Sequence, residues 1–109
     1  MTNEEFKKVI AVRFSKCLDV LTAKSHEYAP GEDRLQQFKD LGVQNHVNPI
    51  KIASVLMSKQ TWSIHSFADN PTKYSPAQWI EKLCDTIVYS LLIEGLLTEM
   101  WENQNEKED

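Results

Sequence analysis

The carboxylates of Glu81 and Asp85 lie inside the largely apolar stretch WIEKLCDTIVYSLLIEGLL of residues 79–97. On a helix, residues four apart share a face, so Glu81, Asp85 and Tyr89 form one row. Successive helical residues turn by about 100°, which places the row inside the apolar stripe that contains Val88. A carboxylate that loses its hydration needs a compensating partner. The row therefore predicts a cation, a metal or a ligand facing this helix.

Basic side chains also point toward the predicted core. Lys59 lies on the apolar side of its helix together with Ser63. Arg13 lies on the apolar side of the first predicted helix, and Lys24 is the last residue of the same helical row. These cations either neutralise the acids in a buried salt-bridge network or build a binding site with them. Snorkelling of the long basic side chains is a third possibility. Buried ion pairs are an expensive route to stability, which favours the site.

Aromatic and imidazole groups supply a second kind of candidate. His26 and Tyr28 follow the first predicted helix, either as exposed loop residues or at the mouth of a pocket. Three tryptophans at helical spacing are expected to pack in the core: Trp62, Trp79 and Trp101. Trp62 has an alternative role, because it neighbours Lys59 and offers a face on which a base can stack. Cys17 and Cys84 are expected to be reduced core thiols, and no spacing predicts a zinc site.

The elements that would position these residues are all helical. Helical periodicity and helix-start signals predict three long helices and one short helix, with no strand. The first helix starts at the Thr2-x-x-Glu5 capping box and ends near Ser25. The short helix runs from an Asp33 cap to Gly42. The last two helices start at Asn48-Pro49 and at Ser75-Pro76. We therefore expect a single all-α domain over residues 1–102, followed by a solvated tail over residues 103–109.

Composition limits the partners. The chain has 109 residues, of which 41% are hydrophobic and 26% charged, with a formal net charge of −4. This balance predicts a globular domain without a nucleic-acid partner. No secretion signal and no apolar run of about 18 residues is present, so the sequence predicts a cytoplasmic protein without a membrane partner. Apolar residues on a second side of the last helix favour a homo-oligomer.

Three motifs in order, HEYAPGEDRLQQF, SVLMSKQTWSI and WIEKLCDTIVYSLL, resemble small phage-borne all-α proteins grouped as MazG-like or nucleotide-modification-associated domains. The resemblance covers residues 17–97 and implies a compact, MazG-like helical bundle. The positions that it shares are His26, Tyr28, Asp33, Phe38, Lys59, Glu81, Asp85 and Tyr89. The sequence departs from the family pattern at Gln37, where the family has Asn, and at Trp62, where it has a basic residue. The second departure removes a phosphate clamp and adds a stacking surface.

The segment EKLCDTIVYSLL is similar to EELADVLFYLL of MazG-type pyrophosphohydrolases. That resemblance implies magnesium held by ExxE and ExxD motifs on two helices, because a hard cation needs several oxygen ligands. Here Lys82 and Cys84 interrupt the acidic set, and Lys59 stands where the second pair would be. Magnesium is therefore expected only if the protein is an enzyme, and no catalytic or metal-binding residue is assigned.

The sequence favours binding over turnover. The ligand expected between the helices is a nucleotide or a nucleotide-derived signalling molecule, sequestered to counter host immunity. The candidate ligand-binding residues are Arg13, Lys24, His26, Tyr28, Asp33, Phe38, Lys59, Trp62, Ser63, Glu81, Asp85 and Tyr89. The alternatives are a magnesium-dependent nucleoside triphosphate pyrophosphohydrolase and a protein inhibitor of a host enzyme.

Overall fold

A computed structural model describes residues 1–23 and 33–108, and it confirms the all-α class. The described helices are α1 (Asn3–Ala23), α2 (Gln36–Asn45), α3 (Pro49–Ala68) and α4 (Pro76–Glu108), with a 3-10 turn at Pro71–Lys73. No strand occurs within these residues. Helix α4 continues to Glu108, through most of the segment predicted to be a solvated tail. None of the described helices has an apolar stretch sufficient to cross a membrane.

Three of the four predicted helix starts are confirmed by their hydrogen bonds, whereas the predicted Asp33 cap is wrong, because α2 begins at Gln36 after Leu35. The hydroxyl of Thr2 accepts a bond from the backbone N–H three residues later at 3.1 Å, and the Asn48 side chain does the same at 2.9 Å. At α4, the Gln78 N–H donates to Ser75 Oγ, while Gln78 Oε1 accepts from the Ser75 N–H. These bonds satisfy donors that the first turn of a helix leaves unpaired.

The predicted end of the short helix is wrong. Helix α2 continues past Gly42 to Asn45 and ends at His46, which adopts the left-handed conformation with a φ of 57°. Gly42 is buried instead, and a Cβ added there would lie 2.7 Å from the carbonyl oxygen of Val47. The missing side chain thus permits the chain to turn closely back before α3.

Within the described residues, the core consists of two clusters that meet along α4. The larger one joins α2, α3 and α4 and contains Leu35, Phe38, Ala53 and Leu96. The smaller one joins α1 to α4 and contains Cys17, Cys84 and Val88. Leu92 packs against both clusters, so α4 is the element that holds the other helices together.

The expectation that charges point into the core is wrong for Glu81. This side chain is exposed, whereas Cys84, Val88 and Leu96 on the same helix are buried. The buried residues follow an i, i+4 row, and such a row is inclined to the helix axis. Glu81, Asp85 and Tyr89 form a parallel row beside it, and at the start of α4 this side row lies on the surface. No charged side chain among the described residues is fully buried.

The expectation that Lys59 points into the core from α3 is also wrong. Lys59 and Val55 are exposed, and Trp62 is 71% exposed, while Ala53 is fully buried. The helix is apolar on several sides, so the sequence pattern does not define which side faces the core. Trp101 is also exposed, and the prediction that the tryptophans lie in the core is wrong for both residues.

Trp79 is better covered. Its ring meets the edge of Phe67 at a centroid distance of 5.3 Å, and its indole N–H donates to the carbonyl of Pro71 at 3.0 Å. These contacts tie the start of α4 to the end of α3.

Candidate functional site

A cavity of about 300 Å³ opens where the four described helices meet. Its apolar wall combines aliphatic residues from α1, α2, α3 and α4 with the ring of Phe38. Its polar groups are Arg34, Gln37, Asp85 and the phenol of Tyr89. A largely apolar concavity with a few polar groups is the usual form of a small-molecule site, and this volume is at the lower end of the usual range.

Three of the predicted ligand-binding residues line this cavity together: Phe38, Asp85 and Tyr89. Phe38 comes from α2, whereas Asp85 and Tyr89 come from α4, where they lie one step to the side of the buried row. Each makes contacts within the protein: Phe38 is buried in the larger core cluster, Tyr89 packs against that cluster, and Asp85 takes part in a polar interaction. Glu81, one turn before Asp85, does not line the cavity.

Arg34 and Gln37 line the cavity but were not identified as candidates from the sequence. They are three residues apart, and with Phe38 and Leu41 they follow helical spacing along one side of the α2 region. The polar members of this face were therefore detectable as a pattern. What the sequence lacks is the information that this side, rather than the opposite one, faces α4.

Asp33 has a structural role. Its Oδ1 accepts a hydrogen bond from the Leu35 N–H at 2.9 Å, and its Oδ2 pairs with the ammonium of Lys39, which also contacts Glu99 at 2.9 Å. Pairing with Lys39, followed by the bond from Leu35, lowers the pKa of Asp33, and the two carboxylates raise the pKa of Lys39. This network connects α2 to α4, and Asp33 is outside the cavity lining.

Cys17 and Cys84 are free, buried thiols whose sulfur atoms lie 3.3 Å apart. Burial, together with the contact to Cys17, raises the pKa of Cys84 to about 11, and the nearby charge of Arg13 opposes the rise. Arg13 is half-buried and does not line the cavity, although its Nη1 atom is buried without a hydrogen-bond partner among the described residues. The Cys84 thiol therefore stays protonated at neutral pH, and both cysteines form part of the packing between α1 and α4.

A separate shallow depression on α3 is lined by Ser58, Lys59, Trp62 and Ser63. It shares no residue with the cavity, so Lys59, Trp62 and Ser63 do not form one site with Asp85. The remaining candidates, Lys24, His26 and Tyr28, lie outside the described residues.

The described residues do not fit a magnesium centre. Asp85 is the one carboxylate among the cavity-lining residues, and no group of three or more His, Cys, Asp or Glu side chains in residues 1–23 and 33–108 is placed to hold a metal. A hard divalent cation requires several oxygen ligands. Comparisons with protein-family models, curated proteins and solved structures gave no significant match to the chain.

Proposed function

We propose that the protein binds a nucleotide or nucleotide-derived small molecule in the cavity between its helices. The observation that carries the proposal is the convergence of two aromatic rings, one guanidinium and one carboxylate in a cavity formed by residues of all four described helices. The aromatic rings of Phe38 and Tyr89 suit a flat heterocycle, whereas Arg34 and Asp85 offer hydrogen-bonding groups of opposite type.

The polar groups suit different parts of such a ligand. The Asp85 carboxylate accepts hydrogen bonds, so it is matched to the N–H groups of a base edge or to ribose hydroxyls. A carboxylate accepts several bonds at once, and a ligand can therefore be added to its existing interaction. The Arg34 guanidinium is matched to a phosphate or to base acceptor atoms. Exposed Gln37 marks the side on which the ligand reaches solvent.

The size of the cavity limits what it encloses. A volume of about 300 Å³ favours one base with its sugar, with any further phosphate or nucleoside extending outward. The surface depression at Trp62 is not part of this site and would not contact the same base.

The biological role we propose follows the family that the sequence resembles. A MazG-like phage protein with an acid-poor site binds its nucleotide without hydrolysing it, and such binding sequesters a nucleotide immune signal of the host. A single carboxylate among the described cavity-lining residues supports binding over magnesium-dependent turnover.

A thermal-shift panel of mononucleotides, ADP-ribose derivatives and cyclic dinucleotides tests the proposal, with and without magnesium. At a ligand concentration 100-fold above Kd, the stabilisation of about 2.7 kcal/mol corresponds to a Tm increase of about 10 °C for a domain of this size. Each mixture is then separated by chromatography.

The expected result is stabilisation without magnesium and recovery of the ligand intact. A magnesium-dependent conversion to a monophosphate would replace the proposal with the pyrophosphohydrolase alternative. Failure of every nucleotide to stabilise the protein would refute nucleotide binding and leave the host-enzyme inhibitor as the alternative.

A further inference from the structure

The apolar stripe of α1 is buried at only one of its ends. Cys17 is 1% exposed against α4, but Phe6, Ile10 and Phe14 on the same stripe are 54%, 38% and 58% exposed. Residues four apart on a helix lie on one face, and Cys17 falls on that side as well. The face that forms core at the C-terminal end of α1 thus continues, uncovered, toward the N-terminus.

The uncovered part is long. All residues from 1 to 12 are exposed, and Val9 and Leu18 add further apolar surface beside the stripe. Helical segments of this length are marginal in water unless an apolar face is packed. Contiguous exposed apolar surface on this scale is typical of an interaction site.

We propose that a second copy of this chain covers the face, and that the two α1 helices pack antiparallel about a two-fold axis at Ile10. In this register Ile10 faces Ile10 of the second copy, and Phe6 comes level with Phe14 of the second copy. The stripe is therefore complementary to itself, as a two-fold interface requires. The facing pairs, Ile10 with Ile10 and Phe6 with Phe14, would interlock as side chains do between packed antiparallel helices.

Charge favours the antiparallel direction. The first turn of α1 carries Glu4 and Glu5 and the helix also bears Lys16. Antiparallel pairing about Ile10 brings Glu4 level with Lys16 of the second copy, so each acidic first turn lies beside the basic end of the partner's stripe. A parallel pair would instead place the acidic first turns side by side, and their like charges and aligned helix dipoles would repel.

The apolar area is sufficient for a modest dimer. Five half-exposed side chains, Phe6, Val9, Ile10, Phe14 and Leu18, offer roughly 400–500 Å² per copy, or roughly 1,000 Å² for the pair, near the lower limit for a specific interface. We therefore expect a reversible dimer whose mass depends on protein concentration.

Sedimentation velocity over a concentration series measures the dimer, and cysteine cross-linking measures its register. Ile10→Cys should give a covalent dimer after treatment with diamide. Two controls receive the same treatment and should give no covalent dimer: the original sequence, and Val43→Cys, whose position on α2 is 77% exposed and outside the proposed interface. Phe6→Cys and Phe14→Cys should each give no covalent dimer when treated alone, and they should cross-link to each other when the two variants are mixed. Phe14→Asp should lower the dimer fraction at least tenfold without loss of helical circular dichroism, and Val43→Asp should leave it unchanged.

Three results would overturn the proposal. The original sequence could sediment as a monomer at every concentration up to the millimolar range. It could dimerise without cross-linking at Ile10→Cys, which would place the contact elsewhere. Efficient self-cross-linking of both Phe6→Cys and Phe14→Cys would indicate a parallel pair.

Discussion

Two helical glycines provide a paired test of the packing, because alanine at each should change stability in opposite directions. Alanine is favoured over glycine inside a helix by about 1 kcal/mol. At Gly42, however, a Cβ would lie 2.7 Å from the carbonyl oxygen of Val47 and 3.3 Å from the nitrogen of Pro49. Both neighbours are backbone atoms in the turn that leads into α3, so no side-chain rotation relieves the contact.

The magnitudes follow from this geometry. Overpacking typically costs about 1–3 kcal/mol, and a 2.7 Å contact with backbone belongs to the upper part of that range, about 2–3 kcal/mol. Gly42→Ala should therefore lower the free energy of unfolding by about 1–2 kcal/mol once the gain of about 1 kcal/mol in helix propensity is subtracted. At Gly95 the nearest atom is the side-chain Cδ1 of Leu35, at 3.4 Å, which is an ordinary contact. Gly95→Ala should therefore raise the free energy of unfolding by up to about 1 kcal/mol.

Urea denaturation followed by circular dichroism at the helical minimum measures both variants, with equal slopes confirming that only stability has changed. The two free energies of unfolding should differ by about 2–3 kcal/mol. A Gly42→Ala variant more stable than the original protein would refute the close approach of the turn to α2. A shift of both variants in the same direction would show that helix propensity or overpacking alone decides the outcome.

Two further predictions concern pH. The folded-state pKa of Asp33 lies below 3.8, so its contribution to stability is present above that pH and is lost as the pH falls below it. The urea midpoint, measured from pH 2 to 6, should therefore fall less steeply with decreasing pH in Lys39→Met than in the original protein. An equally steep fall in both proteins would contradict the pairing. Cys84 keeps its proton to about pH 11 when folded but only to about 9.0 when unfolded, so up to about 2–3 kcal/mol of stability should be lost as the pH rises between these values. Cys84→Ala should remove this part of the slope, whereas an identical slope in both proteins would argue against a raised pKa.

Features governed by local chemistry were predictable from the sequence. The starts of α3 and α4 depend on a capping side chain and a following proline, so Asn48 and Ser75 identify them without knowledge of the rest of the fold. The end of α2 was not predictable in this way. Gly42 matches a helix-stop signal in the sequence, but its place is determined by the approach of Val47, which is a tertiary contact.

The candidate site was predictable in part for the same reason. The row Asp85 and Tyr89 was identified because polar groups interrupt an apolar stripe, and both residues do line the cavity. Glu81 belongs to the same row in sequence yet lies on the surface, because the cavity extends along α4 from Asp85 to Leu92 and does not reach the turn before. Lys59 was misplaced because α3 is apolar on several sides, so only its neighbours determine which side is covered.

The most direct test of the central claim compares two carboxylates one helical turn apart. AMP, GMP, ADP-ribose and a cyclic dinucleotide are titrated calorimetrically into the original protein, Asp85→Asn and the matched control Glu81→Gln. We expect at least one of these ligands to bind the original protein and Glu81→Gln equally well. Its affinity for Asp85→Asn should be about 10- to 100-fold lower, because a hydrogen bond to a charged group contributes about 1.5–3 kcal/mol. Absence of binding by all four, or an equal loss in Glu81→Gln, would contradict a nucleotide site in the cavity at Asp85.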